Sequence, residues 1–237
     1  MTITHKNGAP FRAWILDTSR APGSADFDVV DAAERCHYQR LARDRDRDAF
    51  VMTRAALRRL LGEAMDASPK SLRFEQNLWG KPMIAPERAH MAVDFNVSHT
   101  DGLSAIALSD GRRIGIDVER ERNVSDKRRI AAEVFGPALA GELCGMGGAA
   151  QDRTFLRLWT IAEAFVKATG TGFAGLAECI PLSLSRDSGE IRLGRGRAGG
   201  LSPSWAHFPL ALPEGYCGSV VVEHHGRGGE TMVPATI

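Results

Sequence analysis

The chain has 237 residues, 43% hydrophobic and 25% charged, and its 30 basic and 29 acidic side chains leave a formal net charge of +1. That length suits one large domain or two small ones, and the charge balance gives no global attraction to nucleic acid. No run reaches the roughly 18 apolar residues of a membrane span and no secretory leader pattern opens the chain, so a cytoplasmic protein with no nucleic-acid or membrane partner is expected.

In chain order, helices are expected over residues 28–42 and 47–64, then strands over 91–97, 103–108 and 113–119. A polar stretch at 121–125 changes the character of the chain. Beyond it, helices are expected over 126–134 and 152–169, then strands over 180–184, 190–193, 206–212 and 218–224. Each half runs helices then strands, which predicts an α+β class in two halves, 1–120 and 121–237. Glycine-rich segments at 194–204 and from 226 onward read as mobile loops. Residues 40–59 hold seven arginines, read as a solvated helix face. Cys36, Cys144, Cys179 and Cys217 show no paired spacing, which fits neither a zinc knuckle nor a disulfide framework and suits a reducing compartment.

Within 113–119, Gly115-Ile116-Asp117-Val118-Glu119 sets two carboxylates two residues apart in an apolar run. A strand sends such residues to one face, so the acids share one spot and repel unless a cation or an arginine neutralises them. The segment reads as the second half of a hairpin with 103–108, turning at Asp110-Gly111, its acids facing away from the apolar side. A metal ion, or an exposed strand edge paired with Arg112, Arg113 or Arg120, would each satisfy the acids.

Helical periodicity over 155–167 places Phe155, Leu158, Trp159, Ala162, Phe165 and Val166 on one apolar arc, with Glu163 and Lys167 at its edge, one turn apart. Ala168-Thr169-Gly170-Thr171-Gly172 then ends the helix. Upstream, Gly80-Lys81-Pro82 forms a turn and 95–100 a short strand, so Lys81, Ser98 and His99 are competent phosphate ligands.

In this order, Gly-Lys-Pro, Asn-Val-Ser-His, Gly-Ile-Asp-Val-Glu and Trp-Thr-x-x-Glu-Ala-x-x-Lys resemble the signature of the larger, surfactin-type (group II) 4′-phosphopantetheinyl transferases. The resemblance is close over 80–173 and looser upstream, where Arg47, Phe50 and Arg54 resemble a basic helix near the adenosine 3′-phosphate of coenzyme A. Residues before about 26 and after about 186 match in length and strand character only.

That resemblance implies a pseudo-dimer of two similar α+β halves with the active site in the cleft between them. It implies transfer of 4′-phosphopantetheine from coenzyme A to a serine hydroxyl of an apo-carrier protein, acyl, peptidyl or aryl, by a monomeric enzyme. Mg²⁺, with Mn²⁺ as a substitute, would be held by Asp117, Glu119 and Glu163, since Mg²⁺ favours carboxylates and phosphate oxygens. Glu163 would also serve as general base, with Lys167 and His99 in the catalytic set. Coenzyme A would be held by Arg47, Arg54, Lys81, Pro82, Ser98, His99 and Lys167.

One position departs from the pattern: Ala162 stands where the family usually carries lysine, which removes one phosphate contact, although packing alone would choose alanine on the apolar arc. Two other functions use the same residues, a different metal-dependent phosphoryl enzyme and a non-catalytic coenzyme A-binding module.

Overall fold

The computed structural model describes residues 2–4, 9–85, 93–172, 182–184, 191–193 and 204–224. The chain divides into two units, Met1–Gly111 and Arg112–Ile237. Each pairs antiparallel strands with helices, so the expected α+β class is the observed one. The division falls before the acid-bearing strand, whereas a boundary after 120 would leave that strand in the first unit. Among the described residues no helix is long and apolar enough to cross a membrane.

The first unit contains β1 (Thr2–Thr4), β2 (Phe11–Asp17), α1 (Ser24–Val29), α2 (Ala32–Arg40), α3 (Asp44–Ala64), a hairpin of β3 (Phe74–Gln76) and β4 (Pro82–Ile84), β5 (Asp94–Thr100) and β6 (Leu103–Ser109). Its main sheet has the order β1-β2-β6-β5. Leu57, Leu60 and Leu61, spaced at helical intervals on α3, pack with Trp14, Leu16, Phe95, Ile106 and Leu108 in one core.

The single helix expected over 28–42 is two, because Asp31 starts a new one. Its carboxylate accepts from the Glu34 N–H at 2.9 Å, and Glu34 accepts in return from the Asp31 N–H at 3.0 Å, a reciprocal cap that the Asp-x-x-Glu spacing encodes. The arginine-rich face is not uniformly solvated either. Arg58 is 0% exposed; it donates to Glu34 at 2.7 Å, to Asp31 at 2.5 Å and to the carbonyls of Pro69 and Leu72 at 3.0 and 3.1 Å. A guanidinium can be buried there because nearly its whole donor fork is matched.

The second unit contains β7 (Ile114–Arg120), α4 (Lys127–Val134), α5 (Gly136–Cys144), α6 (Gly148–Thr169), β8 (Leu182–Leu184), β9 (Ile191–Leu193), β10 (Ser204–Pro209) and β11 (Tyr216–His224). Its three-stranded sheet has the order β10-β11-β7. The expected hairpin is therefore corrected: β6 pairs with β2 and β5, while β7 pairs with β11. Asp110-Gly111 still turns the chain, but it separates two sheets instead of closing one ladder.

Helix α5 is not among the expected elements; its Pro137 stands in the first turn, where proline removes only an N–H that has no helical partner. Helix α6 begins four residues before the expected Asp152, whose carboxylate instead accepts from Lys127 Nζ at 2.7 Å and the Val124 N–H at 3.2 Å. That contact ties the polar stretch after β7 to α6. The helix ends as expected, with Gly170 in the left-handed region at φ 68°. The glycine-rich segments at 194–203 and from 226 lie outside the described residues, as do 91–92, 180–181 and 190 of the expected strands.

Helix α6 packs Phe155, Leu158, Ile161, Ala162 and Val166 into the second core with Phe135, Leu139, Leu143 and Val221. The strand beneath it comes close. A Cβ built on Gly115 would stand 1.9 Å from the Ala164 carbonyl oxygen and 2.5 Å from the Ala168 nitrogen, both backbone atoms that no rotamer change can clear. Gly115→Ala is expected to lower stability by about 1–3 kcal/mol, read as the midpoint of urea denaturation, because α6 must lift from β7.

Candidate functional site

Strand β7 alternates Ile114, Ile116 and Val118, all at most 1% exposed, with Gly115, Asp117 and Glu119 on the other face. Gly115 meets α6, so Asp117 and Glu119 point to the helix side as well. An exposed strand edge is thereby ruled out for Asp117, which is 5% exposed even though β7 is terminal among the described strands of its sheet. Such a buried carboxylate needs a counter-charge. Lys167 of α6 supplies it, its Nζ donating to Asp117 Oδ1 at 2.6 Å.

Glu119 is half-buried and accepts from Arg122 at 2.6 Å, an arginine the sequence reading did not single out for it. Of the arginines it did consider, Arg113 pairs with Glu223 at 3.0 Å. Glu163 lies one turn before Lys167, half-buried at the edge of the apolar arc as expected. Burial pushes its carboxyl above the ordinary 4.5, Lys167 opposes that, and the nearby charges of Asp117 and Glu119 push it further up. Three carboxyls, Asp117, Glu119 and Glu163, thus share one neighbourhood with two cations, Lys167 and Arg122.

Among the described residues no group of three or more His, Cys, Asp or Glu side chains forms a ready metal cage. The donor chemistry nevertheless fits a hard divalent cation, since the carboxylate donors of Asp117, Glu119 and Glu163 are all oxygens. Ala162 is 0% exposed in the core, so a small apolar side chain there is what packing selects.

The other residues singled out from the sequence belong to the first unit. Gly80 has φ +82° in the β3–β4 turn, and the Lys81 ammonium that follows donates to Asp94 at 3.1 Å. Strand β5 sends Asp94, Asn96 and Ser98 to one face and Phe95, Val97 and His99 to the other; Ser98 is buried and His99 exposed. Adjacent in sequence, these two side chains do not present to one point. Pro82 opens β4 and is half-buried. Arg54 donates from Nε to Glu34 at 2.7 Å and stacks 4.4 Å from the Phe74 ring centre. Arg47 donates to the Leu41 carbonyl at 2.6 Å and to Asp44 at 3.2 Å.

The sequence reading missed three residues beside the acid site. Cys217 stands opposite Glu119 in the β7–β11 register and Ser219 opposite Asp117, while His207 of β10 lies 3.2 Å from the Ser219 hydroxyl. No local signal reveals them, because strand register across a hundred residues is a tertiary property. Among the described residues Cys36, Cys144 and Cys217 are free thiols, with Cys36 and Cys144 exposed; Cys179 lies outside them.

Burial, with Glu121, Glu119 and Asp117 adding to it, pushes the Cys217 thiol from 9.0 up to about 12. Iodoacetamide followed by peptide mass mapping is therefore expected to label Cys36 and Cys144 first and to leave Cys217 largely unmodified as pH rises through 9. Fast labelling of Cys217 at pH 9 would contradict this electrostatic picture.

Comparison with known proteins agrees with this arrangement. Residues 113–220 match the model of the 4′-phosphopantetheinyl transferase superfamily, and residues 18–110 match that of the 4′-phosphopantetheinyl transferase N-terminal domain. The 4′-phosphopantetheinyl transferase HetI of Nostoc is 35% identical over 175 residues, covering 74% of this chain and 70% of that protein. A putative 4′-phosphopantetheinyl transferase of Synechocystis is 31% identical over 169 residues, 71% of this chain and 68% of the relative. The 4′-phosphopantetheinyl transferase Sfp of Bacillus subtilis is 29% identical over 169 residues, 70% and 67% of the two chains. With both units matched in order and relatives aligned over most of their length, the chain belongs to the 4′-phosphopantetheinyl transferase superfamily of enzymes.

Proposed function

We propose that the protein transfers the 4′-phosphopantetheine group of coenzyme A to a serine hydroxyl of an apo-carrier protein and releases adenosine 3′,5′-bisphosphate. The observation that carries this reading is the convergence of Asp117, Glu119, Glu163 and Lys167 where α6 crosses β7. In the reaction the serine oxygen bonds to the β-phosphorus, and the bond from that phosphorus to the oxygen bridging the α-phosphate breaks. The serine proton passes to Glu163, whose raised carboxyl is a better proton acceptor than an ordinary glutamate. Lys167 sits against Asp117 and brings its ammonium charge to the pyrophosphate.

Asp117, Glu119 and Glu163 would hold Mg²⁺ or Mn²⁺, which when bound supplies neutralisation of the pyrophosphate charge. In the first unit, Lys81, Ser98, His99, Arg47 and Arg54, with Pro82 beside Lys81, are the residues proposed to receive coenzyme A. For Lys81 and Arg54 this means exchanging or sharing the carboxylates of Asp94 and Glu34 that they contact here. A monomeric enzyme in the cytoplasm acting on an acyl, peptidyl or aryl carrier completes the reading.

Intact-mass measurement of several apo-carrier proteins, each incubated with this protein, coenzyme A and Mg²⁺, tests it. A phosphopantetheine-sized gain on one carrier is expected; no gain on any, with coenzyme A still bound, would mark a non-catalytic binding module instead. Asp117→Ala is expected to lower turnover at least about a hundredfold, several kcal/mol of barrier, while coenzyme A remains bound through the basic residues. Near-normal transfer by that variant would refute the metal assignment.

Glu163→Gln retains shape and one oxygen but loses charge and proton-accepting capacity. A base role predicts a fall in kcat of about 10²–10⁴ that added Mg²⁺ or Mn²⁺ does not restore. Full recovery at high metal would make Glu163 a ligand only.

A further inference from the structure

The interface between α6 and its sheet holds a second polar group, one step away from Asp117 and unused by the chemistry above. Ser219 lies opposite Asp117 in the β7–β11 register, so both side chains occupy the face that α6 covers. The Ser219 hydroxyl meets Thr160 Oγ1 of α6 at 3.1 Å and His207 Nε2 of β10 at 3.2 Å. Thr160 Oγ1 in turn donates to the Arg157 carbonyl at 3.0 Å. Thr160 is 0% and Ser219 3% exposed.

Counting protons gives this chain one direction. Thr160 has a single hydroxyl proton, which the Arg157 carbonyl takes, so Ser219 must donate to Thr160 and His207 must donate from Nε2 to Ser219. The imidazole therefore carries a proton on Nε2. Burial and the charge of Arg157 do hold His207 down at about 4, hence neutral near pH 7. Three elements, β10, β11 and α6, are thereby joined by directional bonds at one level of the interface.

Apolar contacts along α6 resist separation but are indifferent to small rotations of the helix about its axis. A hydroxyl pair with fixed donor and acceptor is not. Thr160 lies three residues before Glu163, nearly one helical turn, so a rotation that broke the pair would swing Glu163 and Lys167 away from Asp117. We propose that the His207–Ser219–Thr160 chain is a positioning network that sets the rotation of α6 over the sheet and so holds Glu163 and Lys167 in register with Asp117 and Glu119. The proposal rests on the phosphopantetheinyl transferase reading for its catalytic consequence, and on geometry alone for the placement of the acids.

The test uses the full chain as wild type, Thr160→Val, Ser219→Ala, the Thr160→Val/Ser219→Ala double variant and Thr160→Ser. Melting temperature, kcat and KM for coenzyme A are measured, and Mn²⁺ affinity is read from the electron paramagnetic resonance of free Mn²⁺, with no carrier protein present. Each single variant strands a buried partner and should lose stability and activity together; the double variant removes the Thr160–Ser219 mismatch but still leaves His207 Nε2 without that acceptor, so it should regain only part of the melting temperature. If the network positions the site, the double variant keeps a kcat and a Mn²⁺ affinity lowered about ten- to hundredfold, with KM for coenzyme A within about twofold, and Thr160→Ser restores both. If the double variant binds Mn²⁺ like wild type, or wild type binds none, the proposal is overturned and the network is structural only. A wild type that binds Mn²⁺ but modifies no carrier would defeat the functional reading, and the Mn²⁺ comparison would still decide the network.

Discussion

The close approach of α6 to β7 at Gly115 is the constraint on which the second unit depends. A helix resting on side chains normally rides well above a sheet, but here backbone meets backbone: the space for a Cβ at Gly115 is filled by the Ala164 carbonyl and the Ala168 nitrogen. The two helix residues facing the strand are alanines, the smallest side chains that keep helix propensity. Because the helix sits so low, the positions flanking these alanines, Glu163 and Lys167, come level with Asp117 and Glu119 instead of passing above them. Close packing therefore produces the charge cluster, and Lys167 makes the buried Asp117 tolerable.

Among the described residues, the buried charge clusters of the two units are built differently. Around Glu34 and Asp31 in the first unit stand Arg54 and Arg58, two acids against two guanidiniums, with the carbonyls of Pro69 and Leu72 taking two more Arg58 protons. That cluster ties α2, α3 and the turn at Pro69 together. The cluster on β7 gathers Asp117, Glu119 and Glu163 with Lys167 and Arg122, and burial first, then the neighbouring acids, raise the carboxyl of Glu163 and the thiol of Cys217.

Helix α6 has to serve the core and the site with alternate residues of one sequence. Phe155, Leu158, Ile161, Ala162 and Val166 fill the core, Glu163 and Lys167 carry charge, and Thr160 and Ala164 set how the helix lies on the sheet. This division of labour explains the small and polar residues in the Trp-Thr-x-x-Glu-Ala-x-x-Lys run. It also explains Ala162: with no exposed surface at that position, a lysine would have to thread its stem out of a filled core before reaching any ligand.

The sequence by itself determined what local chemistry can determine. Alternation in 113–119 put Asp117 and Glu119 on one face, and helical periodicity put Ala162 inward with Glu163 and Lys167 at the rim. The glycines after Thr169 marked the helix end, and four motifs in order identified the family, as the comparisons then showed. The Asp31–Glu34 cap and the Pro-started α5 were equally local and could have been read from the same signals. Only the tertiary structure decided that β7 pairs with β11 and not with β6, which places Cys217 and Ser219 beside the acids. It also decided that Arg58 is core and that Arg54 leans on Glu34. The physical reason is the same in each case: periodicity records which face of an element a residue occupies, whereas the partner across that face is chosen by packing between segments far apart in the chain, and no local pattern carries that choice.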